Sequence, residues 1–93
     1  MEPSNTNLSS LPNVGDTLAK RLEAASIHSI QELDSMGAEA AYLRLLAIEG
    51  DTCLTTLYAL KGATRRIRWH ALDKTERLAL KEFFKKANQP LDL

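Results

Sequence analysis

Leu11-Pro12-Asn13-Val14-Gly15 leads straight into Asp16, and apolar residues then recur at Leu18, Leu22, Ile27 and Leu33. Proline cannot continue an existing helix and glycine permits a tight backbone, so these five residues read as a turn that starts a helix. Asn13, with Asp16 three residues on, is close to a capping box, and Leu11 stands where a hydrophobic staple would fold over the first turn. Val14, Leu18, Leu22 and Ala25 then keep the 3.6-residue period of a first helix.

Working outward, Ser26-Ile27-His28 joins this helix to a second, short one. There Ser29 and Glu32 form a full capping box, and Gly37 after Met36 marks the stop. A third helix is expected from about Ala38 to Ile48, inward-facing at Ala41, Tyr42, Leu45 and Leu46, and ending at Gly50. Asp51 or Thr52 caps a fourth, which presents Leu54, Leu57, Tyr58 and Lys61 before Gly62 ends it. Residues 63–72 read as an ordered loop pinned by Trp69, which fills the gap between the fourth and fifth helices. Asp73 with Glu76 opens the last helix, which runs to about Ala87 before Asn88 and Pro90 end it. The expected fold is all-α: a single small bundle of about five short helices over residues 8–87, with residues 1–7 and 88–93 as tails.

Composition agrees with one small domain. The 93 residues are 44% hydrophobic and 26% charged, the balance of an ordinary globular chain rather than a disordered or repetitive one. The longest apolar run, Leu43 to Ile48, contains Arg44 and falls far short of the ~20 residues of a membrane span. The polar N-terminus carries no secretory signal, and Cys53 is alone, so a reducing cytoplasm is the expected setting. Twelve bases balance twelve acids, but unevenly: residues 1–60 hold three bases and eight acids, residues 61–93 nine bases and four acids. Such asymmetry reads either as a contact surface for an anionic partner or as two halves that attract one another.

A Leu-Pro-x-Val-Gly turn before a helix is the signature of helix-hairpin-helix modules. In these, free backbone N–H groups at a helix N-terminus meet a phosphate without reading any base. Asn13, Val14 and Gly15 are therefore candidate phosphate-binding residues. The other reading is a helix start that touches only its own core. Asparagine stands here where many such hairpins have glycine, and Asp16 places a negative charge beside the turn.

The likeness extends along the chain. Residues 8–87 resemble the C-terminal domain of the TfoX/Sxy family, bacterial regulators of natural competence. The landmarks are Leu11-Pro12-Asn13-Val14-Gly15, the spacing of Leu22, Ile27 and Leu33, and Gly37-Ala38 with Tyr42 and Leu45. Leu57-Tyr58-Ala59-Leu60-Lys61-Gly62-Ala63 and Trp69-His70-Ala71-Leu72 follow in the same order. The resemblance implies a small helical domain, related to helix-hairpin-helix folds, inside a transcriptional co-activator system. In the family it commonly follows a separate N-terminal domain.

The chain holds little for catalysis. His28 and His70 are far apart in sequence, and Cys53 has no ligand spacing to either, so neither a metal nor a cofactor is expected. Cys53 reads as a small core residue, or as a thiol activated by a helix N-terminus. In the last helix, at about 100° per residue, Lys74, Arg77, Lys81 and Lys85 fall within about 80° of one another, opposite the core stripe of Leu80, Phe83, Phe84 and Ala87. Together with Arg65, Arg66 and Arg68 these bases form a candidate surface for an anionic partner. Leu78 lies inside the basic stripe as a candidate apolar contact. Trp69 is either core or an exposed anchor of such a contact. The expected function is a non-enzymatic interaction module of competence-type transcription regulation, acting through protein contacts. Sequence-independent DNA binding is the alternative.

Overall fold

Two of the caps read from the sequence start their helices as expected. Ser29 Oγ accepts from the Glu32 N–H (3.1 Å), and Asp73 Oδ1 accepts from the Glu76 N–H (2.9 Å). The computed structural model describes residues 7–50 and 52–89. It places a 3-10 turn at Leu8–Ser10, then α1 (Asp16–Ala24), α2 (Ile30–Glu49) and α3 (Leu54–Arg65). A second 3-10 turn, Trp69–Ala71, precedes α4 (Lys74–Ala87). The fold is all-α, with no strand among the described residues.

There are four α-helices rather than about five. Gly37 does leave helical geometry, at φ 84° and ψ 166°, a region open to glycine alone at little cost. The chain resumes its helix at Ala38, so the expected stop becomes a kink within α2. The start of α1 is also shifted. Gly15 occupies the cap position with no side-chain bond, because Asn13 is turned into left-handed geometry (φ 70°) and bonds elsewhere. Of the two caps expected for α3, Asp51 lies outside the described residues. Thr52 is buried, and its hydroxyl accepts from Arg21 Nη2 (2.9 Å), so Cys53 stands at the cap. Gly62 does not end α3. It lies inside the helix, which stops at Arg65, where Arg66 turns left-handed at φ 62°.

Leu22, Ile27, Leu33, Tyr42, Leu45, Leu57 and Leu60 are fully buried. Each removes a large side chain from water, worth about 1.5–3 kcal/mol apiece. α2 and α3 form the most extensive helix pair. Leu8, Leu11 and Val14 belong to the same core, so Leu11 is buried, although the cap of α1 stands at Gly15. α4 is held more lightly. Of its side chains only Leu80 is fully buried, while Phe83 and Phe84 are half-buried with ring centroids 6.4 and 6.0 Å from Tyr42. The buried Tyr42 hydroxyl donates to Thr52 O (3.0 Å) and accepts from Asn88 Nδ2 (2.8 Å), which offsets the cost of burying a phenol. Asn88 thus reaches the core, while Asn7 caps the first 3-10 turn locally, its Oδ1 accepting from the Ser9 N–H (3.1 Å). Residues 1–6 and 90–93 of the two tails lie outside the described residues. Among the described residues, no helix is long and apolar enough to cross a membrane.

Candidate functional site

The hairpin turn faces inward. Asn13 Nδ2 donates to Ile67 O (2.9 Å) and to Ala59 O (3.4 Å), and its Oδ1 accepts from the Trp69 N–H (3.1 Å). One side chain therefore ties the N-terminal turn to α3 and to the segment after it. The joint works only because residue 62 has no side chain. A Cβ there would stand 2.5 Å from Asn13 Nδ2 and 2.7 Å from Ile67 O. Val14 is buried at 3% exposure, and its N–H donates to Leu11 O (3.2 Å). Of the three candidate phosphate-binding residues, Asn13 and Val14 are thus committed to the interior. Gly15 is exposed, with open space around its Cα, and exposed Asp16 sets its charge beside the same helix end.

The arginines after α3 divide. Arg65 Nη2 lies 2.5 Å from Glu76 Oε2. Arg66 grips Asp34 through two bonds, at 2.8 and 3.3 Å, which raises its guanidinium pKa above the ordinary value. Both were candidates for an anionic partner, and both already have acids of this chain as partners. Arg66–Asp34 and Lys61–Glu39 (3.1 Å) join the basic segment to the acidic one, so part of the charge asymmetry is cancelled inside the fold. Arg68 is exposed.

Along α4 the stripe is open. Lys74, Lys81 and Lys85 are exposed and Arg77 is half-buried; among the described residues only Lys85 of these has an acid within reach, Glu82 at 3.9 Å. Leu78, 53% exposed, sits among them. Trp69 is half-buried and packs against the edge of the core. It stacks on Tyr58 of α3 (5.4 Å between centroids), and exposed His70 stacks on its other side in sequence (3.9 Å). Cys53 is no core residue. It is exposed at the start of α3, 3.4 Å from Thr56 Oγ1, and that hydrogen bond pulls the thiol pKa below its ordinary value against a smaller opposing effect of burial. No three His, Cys, Asp or Glu side chains among the described residues gather as metal ligands.

With this geometry in view, the family model of the TfoX C-terminal domain matches residues 4–84. The chain belongs to the TfoX C-terminal domain family. Two solved structures are similar throughout. An uncharacterized protein from Listeria monocytogenes, in a triclinic crystal form, is 38% identical with a TM-score of 0.87, over 94% of this chain and 99% of that one. A protein of unknown function from Listeria monocytogenes, in a tetragonal form, is 39% identical with a TM-score of 0.83, over 85% and 98% of the two chains. No curated protein matches.

In this TfoX C-terminal domain the sequence landmarks fall on two different jobs. The hairpin, Gly62 and Trp69 come together in one internal joint, although 49 positions separate Asn13 from Gly62. The basic stripe stands apart from it, on the outer side of α4. Arg44 and the outer face of α2 were not singled out for a site. The signal was present in the apolar run from Leu43 to Ile48, which contains two of the three large hydrophobics left exposed among the described residues.

Proposed function

We propose that this domain is a regulatory interaction module of competence-type transcription control, which acts through protein contacts and performs no catalysis of its own. The family supports the regulatory setting. The observation that carries the contact reading is the outer side of α4, where exposed Lys74, Lys81 and Lys85 surround a Leu78 that is 53% exposed. An apolar anchor ringed by polar groups is the usual build of a protein-binding hot spot, and its lysines favour an acidic partner. Cytoplasmic location belongs to the same reading.

Direct binding to the DNA backbone is the second reading, since exposed lysines attract phosphates equally. It is weakened at the hairpin, where Asn13 bonds inward, Val14 is buried and Asp16 repels an anion. Fluorescence anisotropy with a labelled random duplex at two salt concentrations separates the two. We expect a Kd no tighter than about 10⁻⁵ M at ~0.15 M salt. Sub-micromolar duplex binding, lost when Lys81 and Lys85 are replaced by Glu, would make this a DNA-binding domain instead. Nuclease-resistant crosslinks to protein, lost in the same variant, are the expected result of the contact reading.

A further inference from the structure

The second half of α2 is apolar on all sides. From Ala38 to Ile48 only Glu39 and Arg44 are charged, and the other nine residues are apolar. Ala38, Ala41, Tyr42 and Leu45 face the core and are buried. At about 100° per residue, Leu43, Arg44, Ala47 and Ile48 all lie within about 80° of Ala40, on the opposite side. All five are exposed, Leu43 at 44% and Ile48 at 57%. A helix that only faced water would carry a polar stripe there, and one apolar all round is normally covered.

The chemistry of the stripe selects its occupant. Its single charge is Arg44, whose Nη1 donates to Ala25 O (3.2 Å) and Ser26 O (3.4 Å) at the end of α1. The Nε and Nη2 edge of that guanidinium has no protein partner among the described residues. Arg44 lines an open cavity of about 440 Å³ together with Ser26, Gln31, Glu32, Ser35 and Met36. Glu32 there is already held by the His28 N–H at 2.6 Å. The free edge of an arginine fits a carboxylate side-on. A second copy of this chain fits poorly. Packing Leu43 on the partner's Ala47 and Ile48 on its Ala40, antiparallel, brings Arg44 close to its own symmetry mate. The stripe also spans only about 12 Å of helix, too little for the ~800 Å² per partner of a stable dimer.

We infer that the outer face of α2 is a second docking surface, which takes an amphipathic helix of another protein. The helix lays an apolar stripe along Ala40, Leu43, Ala47 and Ile48, and an acidic side chain on Arg44. This rests on the reading of the domain as an interaction module but uses a different helix from the α4 surface.

The test is selection of a library of helical peptides displayed on phage against the intact chain, followed by anisotropy with the enriched peptides. Enriched peptides should carry apolar residues at i, i+3 or i+4, and i+7, with an acid beside them. Their affinity should fall about tenfold for Leu43→Glu with Ile48→Glu, and about fivefold for Arg44→Glu, on which peptides bearing Lys should recover. Leu43→Ser with Ile48→Ser serves where the Glu pair lowers the melting temperature. Lack of enrichment, or peptides that bind the Leu43/Ile48 variants unchanged, would overturn the assignment. Peptides lost only with Lys81→Glu and Lys85→Glu would overturn it while leaving the α4 reading in place. Peptides lost only with the α2 variants leave it standing whatever becomes of α4. Sedimentation that shows a dimer abolished by Leu43→Glu with Ile48→Glu would reject the foreign helix in favour of a second copy.

Discussion

Asn13 and Lys81 are both polar side chains on short motifs that read as anion contacts, and the fold uses them in opposite ways. Both polar ends of the Asn13 side chain are bonded to backbone groups of distant segments, whereas Lys81 ends in water with no ion pair among the described residues. The joint around Asn13 gathers residues 13, 59, 62, 67 and 69 into one small volume. α4 rests on the core chiefly through Leu80 and two half-buried phenylalanines. The difference shows where sequence change is costly: stability is concentrated where the chain bonds across long distances, and the outward helices are left free to meet partners.

The sharpest way to break this contrast is Gly62→Ala. The new Cβ would meet a backbone carbonyl, Ile67 O at 2.7 Å, as well as the Asn13 amide, and backbone cannot step aside as a flexible side chain can. We expect a loss of about 4 kcal/mol, from overpacking plus the displaced hydrogen bonds. That is most of the stability of a small domain, and thermal unfolding followed by circular dichroism should find it largely unfolded at 37 °C. A melting temperature near that of the parent would show the joint to be slack.

Asn13→Ala comes next, at about 3 kcal/mol, because it leaves Ile67 O and the Trp69 N–H without their partner and strains alanine at φ 70°. Asn13→Gly loses the same bonds without the strain, so it should be about 1 kcal/mol better than alanine. The double variant with Gly62→Ala should cost less than the two singles together, since the side chain nearest the new Cβ is gone. Full additivity would mean that the two residues do not share one joint.

These positions also show what could be read in advance. The caps at Ser29 and Asp73 and the core stripes were legible because their partners lie three or four residues away. Gly62-Ala63 repeats the look of Gly37-Ala38, yet Gly37 serves a backbone angle and Gly62 a contact with residue 13. Local pattern cannot tell those apart. Asn13 read as a cap for the same reason: its true partners are 46, 54 and 56 residues distant. Cys53 was expected inside the helix, but α3 starts only at Leu54 and leaves Cys53 exposed at its cap. The stripe on α4 was legible because helical period alone fixes which side faces out, while the acids that hold Arg65 and Arg66 depend on how the helices pack.

Trp69→Ala should cost about 2 kcal/mol rather than the 3–5 of a fully buried aromatic, since the ring is half-buried and its backbone bond to Asn13 survives. A larger loss would extend the tightly packed region to the Tyr58 stack. A melting temperature within a degree or two of the parent would move Trp69 to the open side of the comparison, as a partner contact.

A smaller effect follows from Arg21 and Glu49. The hydrogen bond from Arg21 holds the Glu49 carboxyl below the ordinary carboxylate pKa. A folded-state value below the unfolded one stabilises at neutral pH and is lost as pH falls through the ordinary value of about 4.3 toward the folded one. The pair is partly exposed, so the contribution should stay below about 1 kcal/mol. Glu49→Gln should lower the melting temperature slightly at pH 6, and the gap to the parent should narrow as pH falls below the ordinary carboxylate value. Parallel curves across that range would show that the pair adds nothing.

The smallest expected effect on stability belongs to α4. Lys81→Glu with Lys85→Glu changes two side chains that face water, far from the joint. Exposed substitutions of this kind move stability by no more than about 0.5 kcal/mol, a shift of only a few degrees in melting temperature for a domain of this size. Both contributions lower stability but each is small: Lys85→Glu loses a loose, exposed pairing with Glu82, and Glu in the last turns sits less well with the helix dipole than Lys. Partner capture should change far more, because the same two substitutions reverse the charge around Leu78. A variant that folds as well as the parent and has lost its partner would confirm that α4 is held for contact rather than stability. If it unfolds instead, those lysines support the helix, and the division between a sealed joint and an open face fails at α4.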